Sequence, residues 1–285
     1  MGLLDGLAKL GVKNVNTSEM YEEKKAETKA AKPAEAKPVV VEEKDFIFAK
    51  TYECPICDYQ FKALTLKTNK ARLVSMDKDL RPIFEGIEPL KYETVCCPRC
   101  GYSVMSKYMK PLTPSQKKAV IDNVSQSFSG IEDESELATF DGALERIKLA
   151  LACAIFKRAK ASEKAYICLK GGWLCRAYAD HLNKEGDAPT DKLEMLKTDE
   201  KEFLDNAYEG FIAARQSEDF PIAGMDSSTL DYLIAVMASE RQNYDVASRM
   251  IAGILQSPNA SNKIKDKARD LKDEVVAKIK EAKNS

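Results

Sequence analysis

Two Cys-Pro-x-Cys knuckles, Cys54-Pro55-Ile56-Cys57 and Cys97-Pro98-Arg99-Cys100, put four thiols in metal-ligand spacing. Two residues between the cysteines let one tight turn aim both sulfurs at one ion, while the backbone N–H groups of the turn hydrogen-bond the thiolates. Proline after the first cysteine fixes φ, and the residue after the second needs φ > 0. Gly101 meets that need in the second knuckle. Asp58 stands there in the first, and aspartate enters the left-handed region more readily than most residues. Four thiolates at tetrahedral positions suit structural Zn²⁺ bound by Cys54, Cys57, Cys97 and Cys100, with no open position for catalysis.

Iron is the competing ion. A rubredoxin-like Fe(Cys)₄ centre also uses paired knuckles, and Cys57-Asp58-Tyr59 and Cys100-Gly101-Tyr102 are similar to its flanks. Iron would make the site an electron-transfer or redox-sensing module, with Cys96 as an oxidisable neighbour. Other chemistry is not announced. The chain has no glycine-rich phosphate loop ending in Lys-Ser/Thr, no H-E-x-x-H, no G-x-S-x-G and a single histidine, His181. His181 reads as a solvated helix-end residue near Asp180 and Lys184, far around the helix from Cys175. Cys153, Cys168 and Cys175 lie in apolar helical runs and read as core packing, because a free thiol behaves as a small hydrophobe. Gly171, Gly172 and Trp173 read as helix-packing residues. No enzyme is expected.

The elements that must position the thiols follow from composition and pattern. With 285 residues, 44% hydrophobic and 31% charged, the chain has apolar material for two modest cores. A formal net charge of −1 removes any global attraction to nucleic acid or an anionic membrane. No stretch approaches the roughly 18 consecutive apolar residues of a spanning helix, and the N-terminus lacks the parts of a secretory signal. Eight cysteines, four in metal spacing, fit a reducing compartment, so a cytoplasmic location is expected.

Residues 1–15 read as a short amphipathic helix with a stripe of Leu3, Leu4, Leu7 and Leu10, and residues 16–44 as a disordered, charged Glu/Lys/Ala/Pro linker. Residues 45–113 read as a ribbon of strands and turns around the metal, with Phe46, Ile47, Phe48 and Tyr52 flanking the first knuckle. A strand pair is expected from Thr65 to Val74 about a turn at Thr68-Asn69, and Tyr92 to Val95 leads into the second knuckle. Between Cys57 and Cys97 lie 39 residues, beyond the roughly 15–20 of a minimal ribbon, so the ribbon is split by an insertion. A metal closing that loop would stabilise the fold strongly, since structural zinc is worth ~10–16 kcal/mol in small folds.

The run Arg81-Pro-Ile-Phe-Glu-Gly86-Ile-Glu-Pro89-Leu-Lys-Tyr92, followed by the second knuckle and Gly101-Tyr102, resembles a widespread bacterial family of uncharacterised proteins, domain of unknown function 2225. The likeness is carried by Gly86-Ile87-Glu88-Pro89-Leu90-Lys91-Tyr92 ahead of the C-P-x-C-G-Y knuckle. It implies a split Cys₄ ribbon joined to a TPR-like helical region, with Cys54, Cys57, Cys97 and Cys100 at the ligand positions, and it implies no activity. Cys96 stands where the family pattern has an apolar residue, so Cys96 and Cys97 both remain candidates for that ligand position.

Residues 114–285 read as helical. Phe140, Ala143, Ile147 and Ala150 repeat as Leu204, Ala207, Phe211 and Ala214 and again as Tyr244, Ala247, Ile251 and Ile254. That is the pattern of the second helix of a tetratricopeptide repeat, where a small alanine admits its partner helix. The alanine spacings of 64 and 40 residues make the array degenerate, with an extended connection expected near Asn183 to Thr190. The fold class expected is therefore α+β, a small split zinc-ribbon-like β domain followed by an all-α TPR-like domain. The function expected is a non-catalytic scaffold whose helical region binds a protein or peptide. A nucleic-acid-binding ribbon is the further alternative, through Lys62, Lys67, Lys70 and Arg72. Residues 45–113 carry 11 Lys/Arg against 8 Asp/Glu, and the thiolates offset that surplus, which leaves little counterion-release drive.

Overall fold

Both knuckles are hairpin loops. Strand β1 (Ile47–Glu53) runs into the first knuckle and returns as β2 (Gln60–Leu66), with Glu53 opposite Gln60 and Tyr52 opposite Phe61. Strand β5 (Thr94–Cys96) does the same through the second knuckle into β6 (Ser103–Met105). Between them, β3 (Leu73–Met76) pairs with β4 (Pro82–Phe84), so the strands form three separate antiparallel pairs. The computed structural model describes residues 42–131, 136–186 and 188–284. The amphipathic helix expected at 1–15 and the linker up to residue 41 lie outside the described residues.

The strand pair expected from Thr65 to Val74 does not form. Asn69 does adopt a turn conformation at φ 61, but the turn separates two sheets instead of closing one. The physical reason is that the knuckle already supplies β2 with a partner seven residues long in β1. The charged segment read as linker through Lys44 ends in a folded 3-10 turn, Glu43–Phe46. Its Glu43 carboxylate accepts from the Tyr92 hydroxyl at 2.7 Å and pairs with Lys91 Nζ at 2.6 Å.

Seven helices follow or flank the ribbon among the described residues: α1 (Pro114–Val120), α2 (Phe140–Phe156), α3 (Ala161–Glu185), α4 (Thr190–Ser217), α5 (Ser227–Glu240), α6 (Tyr244–Gln256) and α7 (Asn262–Asn284). The protein is thus α+β with a helical C-terminal region. Starts are marked by side chains that satisfy the free N–H groups of the first turn. Thr113 accepts from Gln116 N, Thr139 from Gly142 N, Asp226 from Thr229 N and Asn243 from Val246 N. Helix α3 continues through Asn183 to Glu185 and stops at Gly186 with φ 82, so the connection to α4 is short where an extended one was expected. A left-handed glycine ends the helix and turns the chain back at once.

The repeating alanines Ala143, Ala207 and Ala247 are all fully buried. Glycines bring α3 and α4 closer still. A Cβ on Gly171 would lie 2.7 Å from the Phe203 ring, one on Gly172 2.7 Å from Leu204, and one on Gly210 2.9 Å from the Ala165 Cβ. Helix α5 is buried on every side from Leu230 to Ser239.

Ribbon and helices share their cores. Leu90 and Met105 belong to the apolar cluster of α2 to α7, while Val120, Val124 and Cys153 belong to the cluster around the knuckles. The Gly-Ile-x-Pro-Leu-x-Tyr run makes this junction. Glu88 accepts from Leu90 N at 3.1 Å to start the 3-10 turn Pro89–Tyr92, which drops Leu90 into the helical core. Just beyond it, Glu93 pairs with the buried Lys170 of α3 at 3.0 Å.

Gly210→Ala tests the close approach of α3 and α4. Alanine would add about 1 kcal/mol of helix propensity, but its Cβ meets a rigid Cβ and backbone, and overpacking costs about 1–3 kcal/mol. The expected outcome is a lower urea midpoint than the parent; an equal or higher midpoint contradicts the packing described.

Candidate metal centre

The two hairpin loops bring Cys54, Cys57, Cys97 and Cys100 together with all four sulfurs within 4.8 Å of one another. Each knuckle is built alike. Cys54 N donates to Tyr59 O at 3.0 Å and Asp58 N to Cys54 O at 2.9 Å; Cys97 N donates to Tyr102 O and Gly101 N to Cys97 O, both at 2.9 Å. Asp58 and Gly101 take the positive φ values that the turn needs, 56° and 71°. Gly101 is needed twice, because a Cβ there would lie 2.5 Å from the Phe128 ring.

Sulfur spacing fits a bound ion. Cys54 and Cys100 sulfurs are 3.5 Å apart, and those of Cys57 and Cys97 3.7 Å apart. Ligands about 2.3 Å from a tetrahedral ion stand ~3.8 Å from one another, so the four cysteines could hold a metal ion. Backbone N–H groups of Ile56 and Cys57 point at the Cys54 sulfur, and those of Arg99 and Cys100 at the Cys97 sulfur. These are the dipoles that a thiolate-rich site requires.

Without a cation the cluster keeps protons. A hydrogen bond from the Cys100 thiol, opposed by burial and helped by the Cys57 and Ile56 N–H groups, pulls Cys54 down to about 5. Supplying that bond, and then burial, push Cys100 up. Burial pushes Cys97 up to about 11. A metal must displace the protons from Cys97 and Cys100, so affinity rises with pH and acid releases the ion.

Cys96 lies outside the cluster. Its thiol donates to the Cys97 carbonyl oxygen at 3.7 Å, and burial pushes its pKa up to about 12. Of the two adjacent thiols, it is therefore Cys97 that faces the other three. Cys168 and Cys175 are buried in the helical core and are likewise pushed up to about 12 by burial. His181 stands in the last turn of α3, stacked on Phe140 at 5.0 Å and with Nε2 3.5 Å from Glu185. Among the described residues these four cysteines are the only group of three or more Cys, His, Asp or Glu side chains close enough to share an ion.

Cys153 is a buried core residue as expected, but what it packs against was not foreseen. From α2 it reaches the second knuckle, where its sulfur accepts from Ser103 N at 3.5 Å and lies 4.0 Å from Gly101 O. Ser103 Oγ in turn donates to Arg146 O of α2 at 2.8 Å. No motif could reveal this, since the contact spans some fifty residues and Cys153 sits in an ordinary apolar helical stripe.

Cys100→Ser removes one of the four gathered sulfurs, whereas Cys96→Ser leaves all four. The expected outcome is loss of most bound metal from the first variant and retention in the second, read by elemental mass spectrometry after gel filtration. Equal retention by both contradicts the assignment.

A family described as "Uncharacterized protein conserved in bacteria (DUF2225)" matches residues 47–275, from the first strand of the ribbon into the last helix. No curated protein and no solved structure matches the chain. Among the described residues no helix is long and apolar enough to cross a membrane. The knuckles, the insertion between them and the helices that enclose it all fall within the matched span, and the chain belongs to this family of uncharacterised bacterial proteins.

Proposed function

We propose that the chain is a non-catalytic, zinc-dependent interaction protein of the cytoplasm. Zn²⁺ held by Cys54, Cys57, Cys97 and Cys100 fixes the ribbon, and a TPR-like array of helices presents a surface to a protein or peptide. The observation that carries the metal role is the closed donor set. Four thiols fill the tetrahedron, so a bound ion keeps no position for water or substrate and its role is structural. Thiolate ligation of this kind persists in a reducing compartment, which supports the cytoplasm.

Three features support the TPR-like array. Helices α3 and α4, then α5 and α6, follow one another as hairpins, and α7 comes after them. The second helices α4 and α6 carry the fully buried alanines Ala207 and Ala247. Residues 241–243 form the short connection within the α5–α6 pair, and Pro258 follows α6 closely. The nucleic-acid alternative is the weaker reading, because Lys67 and Lys70 both turn toward the Asp45 carbonyl oxygen and Arg72 lies beside Glu85, while Lys62 alone of the four has no such contact among the described residues.

Protein expressed with zinc and iron both available is expected to carry one zinc per chain and to be colourless. Elemental mass spectrometry with a visible spectrum checks this. Near-stoichiometric iron with ferric-thiolate absorption would replace the structural role with a redox one.

A further inference from the structure

One turn of the ribbon insertion bridges three of the helices. In an array of helical hairpins the first helix of each pair lines one common face, and here those helices are α3, α5 and α7. One five-residue turn, Asp77–Arg81 between β3 and β4, touches all three. Asp79 accepts from Trp173 Nε1 of α3 at 2.9 Å and pairs with Arg176 Nη2 at 3.0 Å. Asp77 pairs with Arg176 Nη1 at 3.2 Å, and Arg81 reaches Asp180 at 2.7 Å. Lys78 lies 3.8 Å from Glu240 of α5 and also pairs with Glu274 of α7. Leu80 packs against the helical core.

The turn has the features of a ligand more than of a core element. Its contacts are ionic and hydrogen-bonded, with one apolar side chain at the fourth position. It is preformed, with Asp77 N donating to Arg81 O at 2.8 Å and Leu80 N to Asp77 O at 3.0 Å. Leu80 takes φ 70, a conformation that leucine adopts only where its surroundings hold it. The hairpin that carries the turn has little core of its own, since β3 is exposed along its length. Both ends of the insertion are tied down at the four-sulfur site, because the turn lies between Cys57 and Cys97.

We propose that Asp77–Arg81 is a built-in occupant of the array's inner face, kept in place by the metal, and that the external partner is a protein segment of the same chemistry, Asp-x-Asp-Leu, admitted when the insertion is released. The proposal rests on the zinc and helical-array reading given above. The specificity lies in Arg176 and the Trp173 indole, which together demand two carboxylates one residue apart. A partner must displace the turn before it binds, so affinity for it is reduced by the fraction of chains that are closed.

Trp173 is the sole tryptophan and is buried against Asp79, so its emission reports the turn directly. With the full chain, chelation of the metal is expected to raise acrylamide quenching of Trp173 by about threefold, as local opening does, with the helical circular-dichroism signal retained. A synthetic peptide of sequence 75–81 added to the metal-free chain is expected to restore protection, and a scrambled peptide is not. Metal loss with unchanged quenching overturns the proposal, as does loss of the helical signal together with the protection, which would mean general unfolding. Asp79→Lys separates this from the metal reading, because all four thiols remain. It is expected to raise quenching and admit the peptide with metal content unchanged, and Asp79→Asn, which keeps the side chain's shape, is expected to do so more weakly. Unchanged quenching in both variants overturns the built-in occupant whatever the metal content proves to be.

Discussion

Everything in the ribbon depends on one closure, the meeting of Cys54 and Cys57 with Cys97 and Cys100 across 39 intervening residues. Three two-stranded pairs have almost no sheet between them, and an isolated hairpin is at best marginal in water. The chain compensates by making each knuckle the loop of a hairpin, so the turn that aims two sulfurs also sets the register of two strands. The cost of this plan is four thiols crowded in a largely buried site, an arrangement that a cation could stabilise by displacing their protons.

The closure does not act alone, because the helices grip the ribbon. Leu90 and Met105 enter the helical core, Cys153 and Ser103 tie the second knuckle to α2, and Glu93 meets the buried Lys170. Removing Glu93 would strand the buried Lys170 ammonium without its partner, so breaking the pair costs more than the pair itself contributes. The Lys157–Glu163 pair, both members almost wholly buried, is a second example where α2 meets α3. The family match from residue 47 to 275 spans ribbon and helices alike, as this shared packing would require.

Legibility in the sequence followed the range of the interaction. The knuckles were legible because Cys-Pro-x-Cys and the positive φ at Asp58 and Gly101 are decided within six residues. The alanines at 143, 207 and 247 were legible because a helix repeats its face every few residues. The pairing of β2 was misread, because a turn signal at Thr68-Asn69 is real but says nothing about which strand lies alongside. The choice of Cys97 over Cys96 required the direction of a side chain, which alternates along a strand and is fixed only once β5 finds its partner. The partners of Cys153 and of the turn at Asp77–Arg81 were not legible for the same reason: they stand tens of residues away, on elements whose placement no local pattern encodes.

The two knuckles are not equivalent neighbours of the helices. Phe128 lies on Gly101, Cys153 accepts from Ser103, and β5 and β6 run along α2, whereas the first knuckle, though Cys54 and Ile56 join the same apolar cluster, ends in the partly exposed Cys57. Cys97 and Cys100 are therefore backed by the helical region more closely than Cys54 and Cys57 are. A metal ion taken up by the four thiols would then have its more rigid contacts on the second knuckle and its more accessible ligand, Cys57, on the first.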